Sequence, residues 1–162
     1  MSNYNIKPGF IKGMQAIYIA LVAGVVLFLS VILGLVYLNQ AGFMGFVKPD
    51  LDKIFIGIAY MFAIGGSALG MAVFEKNMKY AKRFAFVKEK AMLFRTAFLI
   101  RMALHEIGAF AGIILYMLSG NYYLLGGTAI CIIAMVGARP TKNFITYKLF
   151  LSKEEGDEIA AL

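Results

Sequence analysis

The chain has few charged residues, one cysteine, one histidine and no tryptophan. Charged side chains make up 15% of its 162 residues and hydrophobic ones 61%, whereas a soluble domain is about 25% charged. This much apolar surface excludes a disordered chain, and a chain this short lacks the interior volume to hide it in a soluble globule. The composition therefore predicts a small integral membrane protein, with one domain over residues 1–162.

The sequence also lacks the residue patterns of common catalytic and metal sites. A single thiol, Cys131, excludes an internal disulfide, and no metal-ligand spacing surrounds it. There is no Ser–His–Asp constellation, no pair of carboxylates within one span and no phosphate-cradling loop. We therefore predict a protein that is not an enzyme and that holds no metal and no cofactor.

Four apolar segments are long enough to cross a bilayer, which takes about 20 helical residues. Helices are favoured over strands because the runs are long and rich in Leu, Ala and Met, and because a helix in lipid satisfies its own backbone. The sequence thus predicts an all-α membrane protein. Its four spans lie at about residues 16–38, 54–74, 97–118 and 122–138.

Basic residues are concentrated on one side of these four spans. Thirteen of the 16 Lys and Arg residues lie in the N-terminal segment, the connection between spans two and three, and the C-terminal segment. The other side has only Lys48 and Lys53. The positive-inside rule then predicts a multi-pass protein of the bacterial inner membrane with both termini in the cytoplasm. Since this topology accounts for the net charge of +7, we expect no nucleic-acid partner.

No Gly or Pro lies between Gly70 and Gly108, a stretch that includes the connection between spans two and three. Without such breakers, we expect both helices to continue as a basic cytoplasmic hairpin, with an apolar stripe of Tyr80, Phe84, Val87, Ala91 and Phe94. We interpret three cations outside this stripe as anchors for anionic lipid headgroups, and docking of an acidic partner remains the alternative. These cations are Lys79, Arg83 and Lys90.

The C-terminal segment follows Pro140 and is predicted to lie on the membrane surface over residues 141–151. Thr141 is a plausible cap for a short helix, whose apolar residues would contact lipid: Phe144, Ile145, Leu149 and Phe150. Beyond it, Ser152 and Glu155 have capping-box spacing, but the apolar run that follows is short. We therefore predict a frayed acidic end. On the opposite side, the apolar residues of connection 39–53 are expected at the bilayer surface.

The third span is unusual because it contains Arg101, His105 and Glu106. An ionisable residue in mid-membrane costs about 2.5–3.5 kcal/mol on insertion scales. Helical spacing places Arg101 and His105 on one face and Glu106 about 100° around from His105. Small residues at GxxxG spacing allow close helix packing, and two such pairs indicate that spans two and three meet there: Gly66 with Gly70, and Gly108 with Gly112.

These features support two hypotheses about function. In the first, the Arg/His/Glu cluster is structural, and the protein is a non-enzymatic accessory or scaffold component that packs with itself or with other membrane subunits. In the second, Glu106 binds and releases a proton or cation, His105 is a possible relay, and the chain works as an oligomer. Membrane lipids are partners in both.

Two resemblances accompany these hypotheses. The segments Arg101-Met-Ala-Leu-His-Glu106, Leu118-Ser-Gly-Asn121 and Arg139-Pro-Thr-Lys142 resemble short four-helix bacterial inner-membrane proteins, a type that implies no particular activity. Ala103-Leu-His-Glu106, followed by small residues, is similar to the carboxylate helix of rotary ATPase proteolipids, which implies ion handling by a ring. The chain departs from the doubled form of that family, in which the carboxylate belongs to the last helix.

Overall fold

The computed structural model describes residues 9–38 and 51–161, and within these ranges the chain forms helices and turns without strands. The prediction of an all-α fold is confirmed. The prediction for the outer connection falls mostly on residues 39–50, outside the described residues. The helices are α1 (Phe10–Leu38), α2 (Asp52–Tyr60), α3 (Gly66–Ala81), α4 (Val87–Ser119), α5 (Leu124–Gly137), α6 (Lys142–Leu149) and α7 (Lys153–Ala161).

Three continuous helical stretches are long and apolar enough to cross a membrane, namely Phe10–Leu38, Asp52–Ala81 and Val87–Ser119. The second of them joins α2 to α3. A fourth crossing is possible if α5 and α6 are counted together, although they are bent by 84° at their junction. By itself α5 has 14 residues, or about 21 Å at 1.5 Å per residue, which is shorter than the roughly 30 Å core of a bilayer.

A π-helical turn, Met61–Gly65, connects α2 to α3 without ending the helix. This turn lies against α4, where an added Cβ on Gly108 would be 3.0 Å from the Phe62 carbonyl oxygen and 3.1 Å from the Ala63 Cα. The widened turn thus presents its backbone directly to a glycine of the neighbouring helix. Such insertions often accompany functional sites.

The core is centred on α4, which packs closely on α3 and α5. Large side chains of α4 are fully buried, among them Phe94, Phe98 and Tyr116. By contrast, α1 covers one side of α4 and leaves much of its own apolar surface exposed. Phe28 of α1 meets Phe110 of α4 edge to face, with ring centroids 5.1 Å apart.

Helices α3 and α4 continue into a hairpin whose turn spans residues 82–86, in agreement with the absence of breakers. The predicted apolar stripe divides along its length. Val87, Ala91 and Phe94 are buried in the protein, whereas Tyr80 is 49% exposed at the turn, where its ring meets Phe84 edge to face. At the opposite end, Gly120 adopts φ 72°, a left-handed conformation that favours glycine and lets the chain reverse from α4 into α5.

The C-terminal segment forms two short helices that pack on the hairpin. Thr141 caps α6 as predicted, because its Oγ1 accepts a hydrogen bond from the Phe144 backbone N at 3.2 Å. Rather than facing lipid, Ile145 and Leu149 are buried, and Phe144 stacks on Phe74 with ring centroids 6.2 Å apart.

The prediction of a frayed acidic end is wrong, since Lys153–Ala161 forms α7. Ser152 and Glu155 make a reciprocal capping box. The Glu155 backbone N donates to Ser152 Oγ at 3.2 Å, and the Ser152 backbone N donates to Glu155 Oε2 at 2.8 Å. The buried side chain of Ile159 anchors the helix, so packing on the rest of the protein replaces the long apolar run that the sequence lacks.

Candidate functional site: an Arg/His/Glu cluster on α4

Arg101 and His105 lie one turn apart on α4 and face α3. His105 is 2% exposed, and its Nδ1 is 3.0 Å from the Ser67 Oγ of α3. Its Nε2 has no hydrogen-bond partner among the described residues. The imidazole is therefore held at one nitrogen and unpartnered at the other.

Arg101 is 8% exposed, and its guanidinium lies over an aromatic ring. Its Cζ is 5.4 Å from the centre of the Phe74 ring, within the range of a cation–π contact. The Arg101 Nε is buried without a hydrogen-bond partner in the described part of the chain. Arg101 and His105 thus share a face but do not bond to each other.

Glu106 occupies a different environment from its two neighbours. It is half-buried at the edge of the outer side of α4, beside the exposed Ile107. Across residues 9–38 and 51–161, no hydrogen bond or ion pair involves its carboxylate. The structure therefore separates the cluster into an inner pair, Arg101 and His105, and an outer carboxylate.

The four glycines of the two GxxxG pairs all lie at helix contacts within the chain. An added Cβ on Gly66 would be 3.1 Å from the Leu104 carbonyl oxygen, and one on Gly70 would be 3.3 Å from the Arg101 carbonyl oxygen. Gly112 faces α5, where its Cβ would be 3.0 Å from the Leu124 carbonyl oxygen and would overlap Thr128 Oγ1. These contacts hold α3 and α5 against the face of α4 that carries the inner pair.

Two further polar side chains lie in this interior. Thr128 Oγ1 donates to the Ala109 carbonyl oxygen at 3.1 Å, and the Cys131 thiol faces the Ala63 carbonyl oxygen at 3.9 Å. Both residues are buried, and the thiol is free. Among the described residues, no group of three or more His, Cys, Asp and Glu side chains could hold a metal ion.

The three cations assigned to lipid headgroups have different surroundings. Lys79 and Arg83 are exposed, and the Arg83 guanidinium lies 5.5 Å from the centre of the Tyr80 ring. Lys90 instead forms an ion pair with Glu155 of α7 at 2.8 Å, and its side chain is only 11% exposed. Its partner was not predictable from the helix pattern, because Glu155 is distant in sequence.

Ion pairs attach the C-terminal helices to the hairpin and to each other. Besides the Lys90–Glu155 pair, Lys148 of α6 pairs with Glu75 of α3, and Lys142 pairs with Asp157 at 2.7 Å. The hydrogen bond from Lys90, together with the backbone hydrogen bond from Ser152, lowers the pKa of Glu155 below its usual value. These hydrogen bonds stabilise the ionised form of Glu155.

The three ionisable residues of α4 are apparent from the sequence, and Ser67 is one of the few polar residues that the other spans offer them, but the sequence does not assign their neighbours. Ser67 and Phe74 gave little signal, because one serine and one phenylalanine are ordinary in an apolar span. The one indication in the sequence is their spacing from Gly66 and Gly70, because it places Ser67 and Phe74 on or beside the face that packs on α4. No protein-family model matches the chain, and no curated protein or solved structure matches it.

Proposed function

We propose that the protein is a non-enzymatic accessory or scaffold component of a protein complex in the bacterial inner membrane, with both termini in the cytoplasm. The proposal rests on the carboxyl group of Glu106, which is unpartnered in the described part of the chain. An ionised carboxylate at mid-membrane costs about 2.5–3.5 kcal/mol, and within residues 9–38 and 51–161 Glu106 has no hydrogen bond or ion pair that offsets this cost. A cation or hydrogen-bond donor on a neighbouring membrane helix would do so.

The glycine contacts limit where such a neighbour can bind. Gly66, Gly70, Gly108 and Gly112 contact helices of the same chain, so the two GxxxG pairs stabilise the fold rather than an outside contact. The outer side of α4 beside Glu106 remains, with Ile107 and Ile114 exposed there. The proposed partner is another membrane subunit or a second copy that contacts this side.

The distribution of charge supports the proposed orientation. The hairpin turn and the α6–α7 segment lie at the same end of the molecule, where Lys90 and Lys148 make their ion pairs. Exposed Lys79 and Arg83 add positive charge to this end, as the positive-inside rule requires of a cytoplasmic side. We propose that these two residues attract anionic lipid headgroups, whereas Lys90 holds α7.

A second candidate function is proton or cation handling by an oligomer that uses Glu106. The half-buried carboxyl on the outer side of α4 favours it, because a membrane carboxyl that exchanges ions needs access from outside its own helix bundle. The relay role of His105 receives no such support, since its ring faces Ser67 on the inner side.

Substitution of Glu106 tests the first proposal against the second. Glu106→Gln removes the charge with little change in size, and Glu89→Gln is a matched control because Glu89 is exposed on the same helix near the hairpin turn. We expect Glu106→Gln to weaken co-purification of the partner subunits in mild detergent, while Glu89→Gln leaves it intact. Normal assembly of Glu106→Gln would contradict the scaffold proposal, and normal assembly with loss of ion flux would favour the second candidate.

A further inference from the structure

The α3–α4 interface contains two buried nitrogen groups that have no acceptor. Arg101 Nε and His105 Nε2 are both without a hydrogen-bond partner among the described residues, and both residues are more than nine-tenths buried. Buried polar groups in proteins are nearly always hydrogen-bonded. Two such groups one helical turn apart therefore indicate a ligand that bonds to both.

The available bonds determine the chemistry of that ligand. Arg has five N–H donors and no acceptor. When the Ser67 hydroxyl donates to Nδ1 of a neutral His105 ring, Nε2 carries the ring proton and is a donor as well. Two donors and a positive charge lie one helical turn apart on the same face of α4, so the complementary group is an anion with more than one acceptor oxygen.

No carboxylate of the described chain forms an ion pair with Arg101. The acidic side chain whose charge acts on it is Glu75, and Glu75 is bound to Lys148 of α6. The Phe74 ring contributes a cation–π contact, which is worth roughly 2 kcal/mol when desolvated. Since Glu75 is already paired with Lys148, the ring and the carboxylate leave Arg101 without a bidentate partner of its own among the described residues.

The depth of Arg101 indicates where the anion comes from. Arg101 lies four residues inside the predicted start of its span at residue 97, which is about 6 Å along the helix. Arginine stems of this length reach the headgroup layer, and 8% of the residue remains accessible. Guanidinium groups bind phosphate through two parallel hydrogen bonds.

We propose that Arg101 and His105 form a binding site for the phosphate group of an anionic phospholipid, at the end of the α3–α4 interface nearest the hairpin. Arg101 binds the phosphate oxygens, and His105 donates to one of them from Nε2. This site is separate from the proposed contact at Glu106, whose side chain lies about 100° around α4 from His105.

The site is tested on the full chain purified in detergent micelles. Retention of phosphatidylglycerol is measured by native mass spectrometry, and the thermal midpoint is measured with phosphatidylglycerol, phosphatidylcholine or inorganic phosphate added. Arg95→Gln is the matched control, because Arg95 is exposed on the same helix. We expect Arg101→Gln to weaken phosphatidylglycerol binding at least tenfold, His105→Gln to weaken it less, and Arg95→Gln to leave it nearly unchanged.

Other results would overturn the phosphate site or change the source of its ligand. Equal losses in Arg101→Gln and Arg95→Gln would overturn the proposal, because they would show diffuse charge attraction. A wild-type thermal midpoint that responds neither to phosphatidylglycerol nor to inorganic phosphate would also overturn the proposal. Stabilisation by inorganic phosphate alone, lost in Arg101→Gln, would keep the phosphate site and replace the lipid as its source. If Arg101→Gln does not fold, Arg101→Lys retains the charge, and its expected loss of affinity tests the bidentate contact.

Discussion

Substitution of Gly108 by Ala tests the central helix contact. The new Cβ would lie 2.8 Å from Cys131 Sγ, 3.0 Å from the Phe62 carbonyl oxygen and 3.1 Å from the Ala63 Cα. Carbon atoms in contact normally lie about 3.5–4.0 Å apart, so α4 must move by roughly 0.5 Å relative to both neighbours. Two of the three atoms belong to backbone and cannot rotate away. Overpacking of this kind costs about 1–3 kcal/mol.

The measurement is the free energy of unfolding of purified protein in detergent micelles, with Gly24→Ala as control. Gly24 lies in the middle of α1, and an added Cβ there meets no atom within 4 Å. We expect Gly24→Ala to be neutral or slightly stabilising, because Ala is the better helix former. If Gly108→Ala is as stable as Gly24→Ala within about 0.5 kcal/mol, the close contact of α4 with the π-helical turn is refuted.

Three further predictions concern the C-terminal helices and the interior. The folded pKa of Glu155 lies below its ordinary value of 4.5, so its stabilisation of α7 is complete above that pH and is lost as pH falls through the folded pKa. Amide exchange in α7, corrected for the intrinsic pH effect, should show this loss, and Glu155→Gln but not Glu154→Gln should abolish the pH dependence. Ser152→Ala removes the cap and should destabilise α7 by about 1 kcal/mol, seen as faster amide exchange confined to that helix; global destabilisation would contradict the local role. Ser67→Ala leaves an imidazole nitrogen buried without a partner and should lower the free energy of unfolding by about 1–3 kcal/mol, and an unchanged value would contradict the hydrogen bond to the histidine ring.

The helical content and the long apolar helices could be predicted from local pattern. The missing Gly and Pro between residues 70 and 108 correctly predicted the hairpin, because helix continuation depends on nearby backbone. Thr141 likewise predicted the start of α6, since a cap acts within three residues. These features depend on interactions within one or two helical turns.

Other features depend on residues far apart in the chain. The burial of Lys90 follows from Glu155, 65 residues away, and α7 combines its local capping box with docking of Glu155 and Ile159 on distant parts of the chain. The separation of Glu106 from Arg101 and His105 required the position of α3, since helical spacing gives the angle between side chains but not the face that is covered. The π-helical turn also left no clear local signal.

The proposed function requires that Glu106 on the outer side of α4 contacts another membrane subunit or a second copy of this chain. The most direct measurement is extraction in mild detergent, followed by native mass determination and identification of co-purifying chains. A stoichiometric complex with other membrane subunits, cross-linked to this chain through positions beside Ile107, is the predicted result. A homogeneous ring of this chain alone would show that the contact joins copies of this chain and would favour ion handling over the accessory role, and a lone monomer with no bound chain would contradict both.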